Sequence, residues 1–319
     1  MTVLVTGGLG YIGSHIVRTL KAAGDGVVVV DDGSAGVRDT EGDTSLIALD
    51  LADPSSVRTL ADSMRAMEVS AVIHLAAKKQ VAESVERPLW YYSQNLRSLE
   101  TVIESMIEAD VTGLIFSSSA AVYGRPTSGL VGETAPLDPI NPYGRTKLVG
   151  EWLCADAAEA HGLAVTSLRY FNVAGAGWPD LADRNASNLI PMVFDRIASG
   201  LPPIIFGSDY RTEDGTCIRD FVHVSDIAEA HLAALRSLSG RASGHAAYNI
   251  GTGTGTSVKE VVDLVAAVSG LSLDPELYPR RIGDPAAVVA VVERAATDLG
   301  WSSRFSVAEA VRSAWDARR

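Results

Sequence analysis

The sequence predicts an α/β fold, a doubly wound parallel sheet with a smaller carboxyl-terminal lobe, and three observations predict it. From Val3 to about Arg169, short β-branched runs alternate with helix-length amphipathic stretches, the order of βαβ units feeding a parallel sheet. A glycine-rich turn, Thr6-Gly7-Gly8-Leu9-Gly10-Tyr11-Ile12-Gly13, joins the first run to the first helical stretch. After Tyr170 the rhythm loosens into Gly-, Pro- and Asn-rich connections between shorter elements. We therefore expect a sheet domain over residues 1–170 and a smaller lobe over 171–319, with some carboxyl-terminal segments returning to the sheet.

Six strands are expected, at Val3–Thr6, Val27–Asp31, Leu46–Asp50, Ala71–Leu75, Gly113–Ser117 and Val165–Arg169. Helical periodicity fits Tyr11–Ala23, Ser55–Met67, Asn95–Ile107 and Pro142–Ala160, the second opened by Asp53-Pro54 as cap and first-turn proline. In the second lobe the helices are expected at Asn188–Ser199, Ser225–Ser237, Ser257–Gly270 and Ser306–Ala317. No internal repeat or low-complexity tract interrupts this order.

Composition narrows the function classes. At 319 residues and 47% hydrophobic content the chain can bury a large core. A formal charge of −12 with no local basic stripe argues against nucleic acid as a partner. No apolar run approaches the roughly eighteen residues of a membrane helix. Met1 leads straight into the first strand rather than into an export signal, so the chain is expected in the cytoplasm, with no membrane partner. Cys154 and Cys217 form no CxxC, and no histidines cluster, so neither a disulfide frame nor a metal is expected.

The glycine turn carries both GxGxxG and GxxGxxG spacing. Gly7, Gly10 and Gly13 let the turn tighten and bring backbone N–H groups to a pyrophosphate at the positive end of a helix. Alone the motif is weak; its context makes it specific. The run Val27-Val28-Val29-Val30 ends in Asp31, at the distance where a carboxylate accepts hydrogen bonds from an adenine ribose. A carboxylate there repels a 2′-phosphate, which favours NAD over NADP. Asp50 and Leu51, ending the third strand, would flank the adenine. Leu75, Ala76 and Ala77, ending the fourth, are small enough for a cofactor to lie across.

Tyr143 and Lys147 are spaced i, i+4, on one face of a helix and one turn apart. Asn141 is a good N-cap and Pro142 a good first residue, so Tyr143 falls in the first turn, where the helix dipole favours an anion. A phenol with an ordinary pKa of about 10 needs roughly 3 units of depression to act near neutrality, on the order of 4 kcal/mol. A neighbouring ammonium, the dipole and a cationic nicotinamide can supply it together. Ser117-Ser118-Ser119 ends the fifth strand, at the carboxyl edge where such sheets bind ligands. A hydroxyl there can hold a reacting oxygen and share its proton with Tyr143.

With these residues in hand, the sequence resembles the extended short-chain dehydrogenase/reductase family and, within it, the UDP-glucose/UDP-galactose 4-epimerases. The resemblance runs through TGGLGYIGSH, HLAAKKQVAESVERPLWYY, FSSSAAVYG, NPYGRTK, LRYFNVAGA, FGSDYRTEDGTCIRDFVHV, YNIGTGTGTSV and PRRIGDPA. The narrowest of these is Asp209 to Asp220, similar to the loop that wraps the uridine diphosphate. The resemblance implies a Rossmann domain and the triad Ser119, Tyr143 and Lys147. It implies NAD contacts at Tyr11, Ile12, Asp31, Asp50, Leu51, Lys79 and Phe171, with Asp32, Ser34 and Gly36 after the second strand and one of Gln94 and Asn95. It places Ser119, Asn172, Asn188, Leu189, Phe206, Arg219, Arg281 and Asp284 at a UDP-sugar. Arginines there can bind a diphosphate inside an acidic protein. A homodimer through Asn95–Ile107 and Glu151–Ala160 is also implied. The chain departs from the pattern at Gln94, where relatives often carry asparagine. Val288 stands where relatives vary between an aromatic and a small residue that gates the C2 acyl group.

The activity so implied is reversible C4 epimerisation of a UDP-hexose through a 4-keto sugar. Tyr143 takes the O4 proton, Lys147 lowers the phenol pKa and Ser119 steadies O4. The alternatives are a 4,6-dehydratase, disfavoured because Ser117-Ser118-Ser119-Ala120-Ala121 offers no carboxylate; a UDP-uronate epimerase, which needs a further cation; and a non-catalytic NAD sensor, which needs only the nucleotide loop.

Overall fold

The structure, a computed structural model, describes all residues except 35–43, 185–187, 239, 241 and 282. The first half alternates: β1 (Thr2–Thr6), α1 (Tyr11–Ala22), β2 (Gly26–Asp31), β3 (Ser45–Ala48), α2 (Ser56–Ala66), β4 (Ala71–His74), α3 (Val81–Glu86), α4 (Pro88–Glu108), β5 (Gly113–Ser119), β6 (Leu130–Val131), α5 (Pro142–His161) and β7 (Ala164–Tyr170). The second half holds β8 (Asn172–Ala174), α6 (Leu189–Ala198), β9 (Ile204–Phe206), β10 (Ile218–His223), α7 (Val224–Leu238), β11 (Gly244–Ile250), β12 (Gly255–Ser257), α8 (Val258–Ser269), β13 (Glu276–Tyr278), β14 (Ala287–Ala290), α9 (Glu293–Leu299) and α10 (Val307–Asp316).

The main sheet runs β11-β7-β5-β4-β1-β2-β3 with every neighbouring pair parallel. Successive residues of β1 feed opposite cores, as a two-residue period requires. Val3 and Val5 join Ile16, Val17 and Leu20 of α1 and Ile227, Ala230 and Ala234 of α7. Leu4 joins Leu60, Met64, Leu99, Val102 and Cys154 on the other face. This is the doubly wound architecture expected, with one strand more. The seventh, β11, comes from residues 244–250, where Gly244, Ala246 and Ala247 replace the β-branched run that marks the other strands.

Other differences are local. β3 stops at Ala48 because Asp50 already belongs to the turn into α2: its carboxylate accepts the Ala52 N–H at 2.9 Å and its carbonyl the Ser56 hydroxyl at 2.7 Å. α4 begins at Pro88, seven residues before the expected Asn95, with the proline in its first turn. Ser257 and Ser306, where two of the expected helices begin, are N-caps in reciprocal capping boxes with Glu260 and Glu309. The second lobe has its own core, where Phe194 of α6, Val261 and Val265 of α8 and Val311 of α10 surround Phe221 of β10. A small cluster of Val122, Tyr123, Phe171, Val288 and Ala290 lies alongside the end of β5.

Candidate active site

A groove of about 350 Å³ opens at the carboxyl ends of β1, β2, β4, β5 and β7, where a doubly wound sheet binds its ligand. Its walls include Gly7, Gly10, Tyr11, Ile12, Gly13, Asp31, Asp32, Ser34, Asp50, Leu51, Leu75, Ala76, Ala77, Lys79, Gln94, Asn95, Tyr143 and Lys147. Gly36 lies outside the described residues.

The glycines divide by role. A Cβ at Gly13 would sit 2.1 Å from the Gly7 carbonyl oxygen, and one at Gly7 would meet the Ala76 backbone at 2.9 Å. These two let the turn close on α1 and β4. A Cβ at Gly10 would touch only the Gly7 oxygen, at 3.3 Å. Gly10 is the N-cap of α1 and gives its first turn no side-chain bond, and Gly10, Tyr11, Ile12 and Gly13 bring the amino-terminal end of the helix to the groove wall. That is a cradle suited to a pyrophosphate. Asp31, almost fully buried, accepts the Leu9 N–H at 3.0 Å and the Gly33 N–H at 2.8 Å. It therefore ties the glycine turn to β2, and a carboxylate with four acceptor sites still has two for ribose hydroxyls. The fit to a dinucleotide rests on these features of the chain.

Asn95 uses its amide on the protein, accepting the Lys78 N–H at 2.8 Å and donating to the Lys78 carbonyl at 3.0 Å and to Thr146 Oγ1 at 3.0 Å. Gln94 is the half-exposed member of the pair.

The catalytic candidates come together. Asn141 caps α5, its side chain accepting the Gly144 N–H at 2.8 Å, and Pro142 opens the helix. Tyr143 is thereby fixed in the first turn, with a cap worth about 1 kcal/mol. Ser119 accepts the Ala121 N–H at 3.2 Å and starts the 3₁₀ turn Ala120–Tyr123; it is not a wall of the groove, but it hydrogen-bonds Tyr143. Lys147 is buried, donates to the Ser117 carbonyl at 2.7 Å and lies 5.1 Å from the Phe116 ring centre.

The electrostatics differ from expectation. Burial raises the Tyr143 phenol above its ordinary value, against the pull of the Ser119 hydrogen bond. Burial also lowers the Lys147 ammonium to about 8. The chain alone disfavours both charges, so the depression expected for the phenol is not achieved without a further cation.

Among the residues matched to a UDP-sugar, two pairs come together. Arg219 on β10 donates to Asp284 at 3.2 Å, and the Arg281 guanidinium lies 4.2 Å from the Phe206 ring centre. Next to Arg219, buried Asp220 accepts the Thr252, Gly253 and Ala290 N–H groups at 2.8, 2.9 and 3.2 Å and pins β10. Val288 is in register with Arg219 and packs beside Phe171, which is buried after β7 rather than in the groove wall. Asn172 is exposed at the start of β8. Asn188 is the N-cap of α6, donating to Asp183 at 2.7 Å, and Leu189 is the first residue of that helix.

Sequence reasoning missed Tyr170 and Lys78, both walls of the groove. Tyr170 ends β7 at the carboxyl edge, a positional signal available beforehand; its hydroxyl donates to Nε2 of His231, whose Nδ1 donates to the Ile227 carbonyl at 2.8 Å. Burial holds His231 at about 4, so the imidazole stays neutral. Lys78 donates to Ser34 at 2.9 Å and stands 3.6 Å from Asp32.

Residues 3–251 match the NAD dependent epimerase/dehydratase family. The chain belongs to this family. Among its curated members, the UDP-glucose 4-epimerase of Azospirillum brasilense is 45% identical over 303 residues, 94% of this chain and 86% of that protein. Two solved structures of the family cover 100% of the chain and are covered to 98%. One is the UDP-glucose 4-epimerase of Stenotrophomonas maltophila with bound NAD and formylated UDP-arabinopyranose, at TM-score 0.93 and 38% identity. The other is that of Bifidobacterium longum with NAD+ and UDP, at TM-score 0.90 and 33% identity.

Proposed function

We propose that this protein interconverts UDP-glucose and UDP-galactose by epimerisation at C4, with NAD as its cofactor. The reading rests on one arrangement: Tyr143, Lys147 and Ser119 meet at the sheet's carboxyl edge, beside a glycine-cradled groove. Its full-length likeness to UDP-glucose 4-epimerases supports it.

NAD, held by the glycine turn and Asp31, would supply the hydride acceptor and donor for C4 and a positive charge to favour the Tyr143 phenolate. Tyr143 then removes the O4 proton as C4 is oxidised, giving a 4-keto sugar. Ser119 holds O4, and Lys147 offsets the charge of the phenolate. Arg219 and Arg281 grip the diphosphate, so the sugar, held loosely, can present its other face before Tyr143 returns the proton. Ser118 and Ser119 place no carboxylate beside C5 and C6, which disfavours a dehydratase.

Incubating the protein with UDP-glucose and following the anomeric protons by NMR tests this. Galactose signals are expected; a 4-keto-6-deoxy product, or no turnover despite bound NAD, would sink it. Tyr143→Phe should lose several orders of magnitude in turnover and keep its NAD.

Finer readings accompany the proposal. The small side chain of Val288 beside Arg219 leaves room for an N-acetyl group, so UDP-N-acetylglucosamine should also turn over. The substrate pair places the enzyme in galactose metabolism. Two buried, unpaired thiols suit a reducing cytoplasm, and none of the described helices is long and apolar enough to cross a membrane. α4 and α5 pack together while Leu89 and Trp152 remain 84% and 58% exposed. That apolar surface supports a homodimer through these helices, which light scattering of Trp152→Glu should dissolve into monomers.

A further inference from the structure

Helix α5 carries a third functional-looking side chain on the stripe of Tyr143 and Lys147. Glu151 lies one further turn along and faces the interior, 3% exposed. Its Oε1 accepts the Arg169 Nε–H at 2.9 Å and the Ser118 hydroxyl at 2.5 Å, and its Oε2 accepts the second arm of Arg169 at 2.6 Å. Arg169 comes from β7 and is the register partner of Ser118 on β5. Its remaining arm donates to Tyr123 Oη at 2.9 Å and to the Glu133 carbonyl at 3.2 Å, and Tyr123 in turn donates to Asn249 of β11 at 2.6 Å. Burial works against the Arg169 charge, and the bonds to Glu151 more than reverse it, holding the guanidinium above its ordinary pKa.

The consequence is geometric. The proton-transfer groups sit on two different elements, Tyr143 and Lys147 on α5 and Ser119 on the last residue of β5. Strand alternation sends Ser117 and Ser119 toward one face and Ser118 toward the other. Lys147 grips β5 through the Ser117 carbonyl, and one turn further along the same helix Glu151 grips it through the Ser118 hydroxyl. Two bonds, one turn apart on the helix and one residue apart on the strand, fix the offset between α5 and β5. The ion pair that anchors the second bond is almost fully buried at both ends, so its geometry has little freedom.

We propose that Glu151, held by Arg169, is a positioning residue for the epimerisation, setting through Ser118 the separation of Tyr143 from Ser119 without touching substrate or cofactor. This rests on the assignment of Tyr143 as the base. A displacement of about 1 Å in such a pair costs up to a hundredfold in rate. The proposed diphosphate grip, Arg219 on β10 with Arg281 and Asp284, lies on other elements and should not register the change.

Ser118→Ala is the discriminating variant in the NAD-loaded enzyme. It removes one hydroxyl and leaves the Arg169–Glu151 pair intact, so no buried charge is orphaned. Expected are a ten- to hundredfold fall in kcat, a KM for UDP-glucose within twofold of the parent, and cooperative unfolding. Glu151→Gln should show the same split, with a larger loss of Tm. If Ser118→Ala unfolds more readily but keeps its kcat, or if KM rises while kcat holds, the network is structural only and the inference falls. Tyr143→Phe run alongside separates the two claims: its inactivity with an unchanged Ser118→Ala rejects the positioning role alone, whereas an active Tyr143→Phe rejects the assignment of the base.

Discussion

Replacing Lys147 by Met should damage catalysis and remove a pH-dependent instability, and both effects can be sized. The side chains of Tyr143 and Lys147 lie one helical turn apart, about 5–6 Å. Two unit charges at about 6 Å in an effective dielectric of about 20 interact by about 3 kcal/mol. That is about 2 pKa units on the phenol. At neutral pH Lys147→Met should therefore lose at least about a hundredfold in kcat, because the phenolate it supports is about a hundredfold rarer. Raising the pH restores the phenolate, so the kcat profile of the variant should climb toward the parent's above neutrality.

Stability moves the other way. Lys147 titrates at about 8 in the folded chain against 10.5 ordinarily. Between those values the unfolded chain holds a proton that the folded chain has lost, so stability rises with pH across that window, by about 3 kcal/mol in total. Below about pH 8 both states are protonated, the slope vanishes, and the fold bears the full cost of the buried ammonium. Urea titrations of parent and Lys147→Met at intervals from pH 7 to 10.5 isolate this as a difference, since other titrating groups are common to both. A parent-minus-variant difference that is flat with pH would refute the burial argument. An unaltered kcat would refute the Coulombic one.

The remaining predictions concern the two ligand-facing constellations. Gly13→Ala puts a Cβ 2.1 Å from the Gly7 oxygen; the glycine turn cannot accommodate it, and protein purified from this variant should lack NAD by absorbance and melt several degrees lower. Arg219→Gln removes the guanidinium and the ion pair with Asp284 while keeping a polar side chain, so the KM for UDP-glucose should rise at least tenfold with NAD content unchanged. A KM within twofold would take Arg219 out of the diphosphate site.

What was legible in the sequence follows from how local each determinant is. The glycine turn, the acid ending β2, the capped start of α5 and the serine end of β5 each announce themselves within about eight residues, and the fold brings all four to one sheet edge. β11 was not legible, because Gly244-His245-Ala246-Ala247 gains its strand character from lying against β7 rather than from its own propensity. The extension of α4 back to Pro88 was hidden in an aromatic run, Trp90-Tyr91-Tyr92, where Tyr91 is buried to hold the Gln80 N–H at 2.9 Å and Glu83 at 2.9 Å. Glu151 and Arg169 were invisible as a pair: they are 18 residues apart, and only the register of β5 with β7 brings Ser118 and Arg169 level.

The raised phenol is the point at which fold and chemistry meet. A tyrosine on an open surface would need only its lysine, but here burial lowers Lys147 to about 8 and its ammonium is turned to the Ser117 carbonyl. Phe116 lies against Lys147, and the Tyr170–His231 pair at the groove stays neutral, so neither adds a charge to offset those of the phenolate and the ammonium. A site built this way has little phenolate until a cation enters the groove, and once one does, the low polarity magnifies its effect on the phenol. On the proposed assignment of Tyr143 as the base, its ionisation would be coupled to loading of the groove, an unloaded site would carry no free base, and NAD would have to be retained between turnovers.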